Sequence, residues 1–353
     1  MVLIALFICF FLLSLNLSKT KGSRKIFKPL SFSALLYFAL NLYWLLPLLT
    51  SKENVVSQFT LDDFYVFSAK PQVNNIYFTL LSLHGFWRGG YQYTFDAISG
   101  WQYISVTFIL IAVLGFLHTF KNKGGNTRIY AYGFAACVAA SLIFASGASG
   151  IFKDLNLLLF KKTMFFKIFR DTQKFIVPII LFYAFLGGLG VKSISSRLKG
   201  RRMLQIVAAA ALIALPLIYQ FNMPLGFNRQ LKTYDYPDTW YEVNTYLNSD
   251  SEDFNILFLP WHNYMHFKWV GSSIANPAPV FFDKHVITAQ NIEVGPIYTH
   301  STHPAQQYLD HLLAKAPTLQ NLGELLSPLN VKYVILAKEA DYRNYLYLYN
   351  QTD

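Results

Sequence analysis

The chain has 353 residues, of which 54% are hydrophobic, 17% aromatic and only 14% charged. Soluble proteins carry about 25% charged residues, so the composition excludes an ordinary soluble fold over the whole length and points to a membrane protein. The net charge of +11 does not indicate nucleic acid, because many Lys and Arg residues sit in short loops between apolar runs, where such charge sets membrane orientation.

Six runs reach or approach the roughly 17–25 apolar residues that span a hydrocarbon core as a helix: 2–17, 30–49, 103–120, 129–146, 175–191 and 203–221. The first begins at Met1 with no basic region and no small-residue cleavage site, so it does not read as a secretory signal. Cys9 and Cys137 both fall in these runs, so no disulfide framework or metal site follows. Loops 18–28, 121–128 and 192–202 hold Lys and Arg and no acid. They alternate along the chain, as cytoplasmic loops between six crossings must. The N-terminus, loop 51–102, segment 151–174 and the tail 222–353 then lie outside an integral plasma (cell) membrane protein. The tail agrees, since its acids outnumber its bases. Two domains are expected: a transmembrane helical domain over 1–221, and an extracytoplasmic α/β domain over 222–353 that ends incomplete.

Loop 51–102 is long for a connector, and such loops usually carry function. It holds Asp62, Asp63, His84, Trp87 and Arg88 among many aromatics. Tyr and Trp at this depth form an interfacial belt; aromatic faces beside carboxylates also suit a sugar, whose ring faces are apolar and whose rims are hydroxylated. Segment 151–174 is cationic and amphipathic. Lys153, Lys161, Lys162, Lys167, Arg170 and Lys174 stand against Asp154 and Asp171, with Phe152, Leu155, Leu158, Leu159, Phe165, Phe166 and Phe169 as an apolar side. Two readings fit. One is a helix lying on anionic lipid head groups, its lysines snorkelling. The other is a phosphate site in which Arg170 and Lys174, one helical turn apart, converge on one anion, Arg as a bidentate fork and Lys as a point charge, with Asp171 orienting either.

In the tail, helices are expected at 238–247, 305–314 and 319–326, and strands at 255–259, 280–282, 285–288 and 331–336. The alternation predicts a small sheet covered by helices. His262 with His266, and His300 with His303, lack the Glu of a zinc-protease helix and lie beside Pro260 and Pro304, so they read as loop histidines. No motif for a divalent metal or other cofactor is present. In the run 187–190, Gly187, Gly188 and Gly190 lie inside a spanning helix, where small residues allow close packing.

FRDTQKFIVPIILFYAFLGGLG, starting at Phe169, resembles the Arg-x-x-x-Lys-Phe stretch that leads into a membrane helix in GT-C-type membrane glycosyltransferases, nearest to the arabinofuranosyltransferase-like proteins. The NLYWLLP run at 41–47, the Tyr-x-Tyr-Pro at 234–237, the Leu-Pro at 259–260 and LLSPLNVKYVIL at 325–336 are similar to the same group. The resemblance implies transfer of a sugar from a polyprenyl-phosphate carrier to a cell-envelope glycan or glycoprotein on the outer face. It implies that Arg170 and Lys174, with Lys167 nearby, hold the carrier phosphate, and that a carboxylate of an early outer loop deprotonates the acceptor. That loop normally follows the first helix, whereas here the first helix leads into a basic inner loop. The chain therefore reads as a fragment lacking the catalytic loop; if it is complete, Asp62 or Asp63 is the substitute base, with His84, Trp87 and Arg88 as sugar contacts. A second class is a membrane-anchored scaffold whose outer domain binds a glycan or protein. A transporter ranks last, because the spanning runs are almost free of charge.

Overall fold

The computed structural model describes residues 24–50, 55–121, 127–223, 226–294 and 297–340. The expected run 2–17, most of loop 18–28 and the middle of loop 121–128 lie outside these residues. The chain divides into two compact units, Thr60–Leu231 with the preceding 24–50 helix, and the remainder from Lys232 together with the described residues 55–59.

The first unit is helical. Its elements are α1 (Arg24–Thr50), α2 (Leu61–Phe67), α3 (Ile76–Leu81), α4 (Thr94–Ala97), α5 (Trp101–Lys121), α6 (Thr127–Ala145), α7 (Lys153–Lys162), α8 (Met164–Ile168), α9 (Val177–Arg197), α10 (Arg202–Tyr219) and α11 (Gly226–Arg229). Where six crossings are expected from sequence, three described helices are long and apolar enough to cross a membrane: Trp101–Phe120, Thr172–Arg197 and Arg202–Tyr219. Ser31–Pro47 and Ala131–Ala145 are apolar but shorter. The second is cut short by a turn at Gly147, whose φ of +52° suits a residue without Cβ.

Helices α5, α6, α9 and α10 form an up-and-down bundle. Phe108 meets Tyr183 and Gly115 meets Gly190, so α5 and α9 run parallel. Phe116 and Phe120 meet Tyr132, and Phe134 stacks on Phe185, so α6 runs against both. Gln205 of α10 donates to the Ser195 carbonyl of α9, which sets α10 antiparallel to α9. The α5–α9 crossing is close because both sides are glycine: a Cβ on Gly115 would fall 1.8 Å from the Leu186 carbonyl oxygen, and one on Gly190 2.1 Å from that of Ile111. Gly187 and Gly188 have open space instead. Residues 60–100 and 146–176 gather at one end of this bundle, hereafter the loop end, while the basic turn 198–201 lies at the other.

The second unit is α/β: α12 (Asp238–Ser249), β1 (Asn255–Leu259), β2 (Tyr264–Phe267), β3 (Ser272–Ala275), α13 (Ala278–Phe281), β4 (His285–Ile287), β5 (Ile292–Val294), β6 (Ile297–Thr299), α14 (Pro304–Ala314), α15 (Leu322–Leu326) and β7 (Val331–Leu336). A parallel sheet of order β4-β1-β7 is its centre, with β2–β3 and β5–β6 as separate hairpins. Strand β1 is central, and period-2 alternation sends its residues to two cores. Ile256 and Phe258 join Trp240, Phe267 and Phe282 on one face, while Leu257 packs with Leu309, Leu312 and Leu313 on the other. The expected strand 280–282 is instead the end of helical turn α13, started by Pro277 and by Ala278, whose N–H is capped by the Asn276 side chain. The expected helix 319–326 shortens to α15, after a 3₁₀ turn at Ala316–Thr318. His262 follows β1 and His266 lies within β2, so that pair shares no helix.

Candidate functional site

The loop end of the bundle carries two polar constellations. The first is built where α2 meets the turn between α8 and α9. Thr60 and Asp63 make a capping box at the start of α2: Asp63 Oδ2 accepts from the Thr60 amide at 2.9 Å and from its hydroxyl at 3.2 Å. Asp63 Oδ1 accepts from Arg170 Nη1 at 3.1 Å. Asp63 is 1% exposed, and both its oxygens are thus engaged. The guanidinium of Arg170 also lies 4.4 Å over the Phe67 ring, a cation–π contact, and Phe67 meets Trp87 edge to face at 4.5 Å. Burial pulls the Arg170 guanidinium below its ordinary value, with Asp63 and then Asp171 opposing.

Arg170 and Lys174 are not one helical turn apart as the sequence suggests. Thr163 ends α7 and caps α8 through its hydroxyl, which accepts from the Phe166 amide at 3.3 Å. The chain leaves the helix after Ile168 and re-enters as a 3₁₀ turn at Thr172–Ile176. Thr172 pins this turn, donating to the Ala145 carbonyl at 3.0 Å and accepting from the Ala69 amide at 3.0 Å. Arg170 therefore turns inward to Asp63, while Lys174 faces out, its side chain 60% exposed and 3.7 Å from Asp171. Asp171 has a buried Oδ1 without a hydrogen-bond partner. Burial pushes its carboxyl above the ordinary range, against Lys174 and the Trp87 side chain. Asp171 is the acid whose environment sequence reading missed; local spacing showed the residue but not its burial. Asp62 is exposed on α2, and Lys167 is half-buried in the last turn of α8.

The second constellation surrounds His84. Its Nε2 lies 2.9 Å from the Tyr219 hydroxyl, which donates to the Ser82 carbonyl at 2.8 Å and lies 2.9 Å from the Ser105 hydroxyl. With the Tyr219 proton given to Ser82, the arrangement matches the His84 tautomer that carries its proton on Nε2. Trp101 and Phe95 meet the imidazole edge to face. Burial lowers its pKa to about 4, with Asp96 opposing, so the ring is neutral at pH 7. A cavity of about 330 Å³ opens beside it, walled by Phe86, Tyr91, Tyr93 and Phe227. Arg88 is exposed over the Tyr91 ring at 5.5 Å. The structure thus separates the sequence candidates: Asp63, Trp87, Arg170 and Lys174 belong to one cluster, and His84 to the other.

Neither a protein-family model, nor a curated protein, nor a solved structure gives a significant match to this chain. Among the described residues no group of three His, Cys, Asp or Glu side chains is placed to hold a metal ion.

The cationic segment keeps part of its expected character. Asn156 and Phe160 turn into the unit: Asn156 Nδ2 donates to the Ile143 carbonyl in the last turn of α6 and to the Gly147 carbonyl just beyond it, and Phe160 packs on Phe64. Ile151, Leu155, Leu158 and Phe165 remain exposed beside the exposed Lys153, Lys161 and Lys162.

Proposed function

We propose that the chain is a GT-C-like membrane glycosyltransferase, or part of one, that moves a sugar from a polyprenyl-phosphate donor to a cell-envelope glycan or glycoprotein. In this reading the loop end faces outward and the basic turns face the cytoplasm, giving the six-crossing topology and an extracytoplasmic α/β unit. The observation that carries it is the Asp171–Lys174 pair beside the Arg170–Asp63 ion pair. An exposed cation able to meet a phosphate stands next to a carboxylate with one unpartnered oxygen and a raised pKa, the combination expected of a proton acceptor beside a leaving-group site. Lys174 contacts the donor phosphate. Asp171, rather than Asp62 or Asp63, takes the acceptor proton, and Arg170 holds the turn in place. The exposed apolar and lysine side chains of α7 and α8 rest on anionic head groups, which brings a lipid-borne donor to the site.

The test is binding of a polyprenyl monophosphate to the full chain in nanodiscs, with the corresponding polyprenol as control. Lys174→Ala weakens binding of the phosphate and leaves the polyprenol unaffected. Asp171→Asn binds the phosphate normally but releases no polyprenyl phosphate from polyprenyl-phosphate sugars. Equal phosphate binding by Lys174→Ala and wild type would end the proposal.

A further inference from the structure

The cavity beside His84 is separate from the Asp171–Lys174 cluster, and its chemistry differs. Its walls are largely aromatic and its polar groups are amides, hydroxyls and the neutral imidazole of His84; among the described residues no Lys, Arg, Asp or Glu lines it. The volume of about 330 Å³ falls within the range of small-molecule sites, about 300–1,000 Å³. Three backbone-directed bonds keep it in shape. Gln230 Oε1 accepts from the Gln92 amide, and Gln230 Nε2 donates to the Gln92 carbonyl at 2.9 Å, tying the loop before α4 to the segment after α11. Tyr93 donates its hydroxyl to the Arg88 carbonyl and stacks on Phe95.

One group in this wall is unsatisfied. Asn222 is 5% exposed, lines the cavity, and its Oδ1 is buried without a hydrogen-bond partner. A buried acceptor left unmade is costly, and such a group at a cavity wall marks a place where a ligand donor completes the bond. The exposed Gln220 amide adds a second polar group, and the exposed Tyr91 ring a flat apolar face.

We propose that this groove binds a neutral saccharide. A sugar hydroxyl donates to Asn222 Oδ1, a second meets the Gln220 side chain, and the apolar C–H face of the ring lies on Tyr91. Among the described residues no cation lines the wall, Arg88 lying outside it over the Tyr91 ring, and a purely apolar ligand leaves Asn222 unsatisfied, so an uncharged, hydroxyl-rich ligand fits best. Binding here does not depend on transfer chemistry, and it extends to the protein whether or not the Asp171–Lys174 cluster is catalytic.

The experiment is saturation-transfer difference NMR on the full chain with lactose, maltose, cellobiose and mannobiose, in a detergent that carries no sugar. At least one disaccharide receives saturation, strongest at its C–H protons, and Tyr91→Ala and Asn222→Ala each weaken its affinity about tenfold, the loss of one good contact. Asp171→Asn with Lys174→Ala leaves this binding unchanged, so failure of the transferase reading is seen separately. If Asn222→Ala does not fold, the exposed Tyr91 and Gln220 decide through Tyr91→Ala and Gln220→Ala. Absence of binding by all four disaccharides, or binding untouched by the folded variants, overturns the proposal.

Discussion

Replacing Asp63 by Asn separates a structural carboxylate from a catalytic one. The substitution keeps an oxygen able to accept from the Thr60 amide, so the helix cap is largely retained, but it takes from Arg170 its ion-pair partner and leaves only the weaker attraction of Asp171. The Asp63 side chain is 2% exposed and that of Arg170 16%. Removing one member of a buried pair costs about 3–5 kcal/mol. The lower end applies, because Arg170 keeps its Phe67 contact and part of its hydration, giving about 3 kcal/mol. For a unit of this size each kcal/mol moves Tm by about 2–4 °C, so Asp63→Asn should lower Tm by about 6–12 °C. Thermal unfolding of the detergent-solubilised chain, followed by tryptophan fluorescence, reads this directly. The double variant Asp63→Leu with Arg170→Met removes both charges and recovers most of the loss. A Tm for Asp63→Asn within about 1 °C of wild type, accompanied by lost sugar transfer, would refute the structural assignment and restore Asp63 as the base.

Two further outcomes follow from the helical unit. The folded pKa of His84 is about 4, below its ordinary 6.5, so the fold favours the neutral ring. Above pH 6.5 neither state is protonated; as pH falls toward 4 the unfolded chain takes up the proton first, and stability declines by about 3 kcal/mol. His84→Gln removes this slope, and equal Tm-versus-pH curves for wild type and variant would contradict the burial argument. Gly190→Val places side-chain atoms against the Ile111 carbonyl and should cost about 3 kcal/mol or more. Gly187→Ala, in open space, should stay within about 1 kcal/mol, and similar Tm losses for the two would deny the close crossing.

The parts legible in the sequence were those set by local pattern. NILFL and VKYVIL are short, mostly apolar runs rich in β-branched and aromatic residues, and they form β1 and β7 where expected. The spans 103–120, 175–191 and 203–221 were legible for the same reason and coincide with α5, α9 and α10. The β2–β3 hairpin was missed because its apolar residues, Met265 and Phe267, sit in a short run that either period fits, although Gly271 at φ +70° marks its turn. The candidate site was legible only as a set of residues. Arg170 pairs with Asp63 across 107 positions, a contact that no local spacing encodes. The burial of Asp171 depends on the same long-range meeting. Asn222 gave no signal at all, since an unpartnered amide becomes visible only when its surroundings are known.

The glycine crossing of α5 and α9 has a consequence for the geometry of recognition. Trp101, at the head of α5, contacts the His84 ring, while Phe175 and Ile176, which lead into α9, follow directly on the Asp171–Lys174 turn. Because the two helices touch backbone to backbone, the span between the groove beside His84 and the charged turn is set by rigid rods rather than by the loops that display them. The helix pair acts as a fixed gauge: any ligand engaging both places must match its length, and changing residue 115 or 190 alters that length without touching either site.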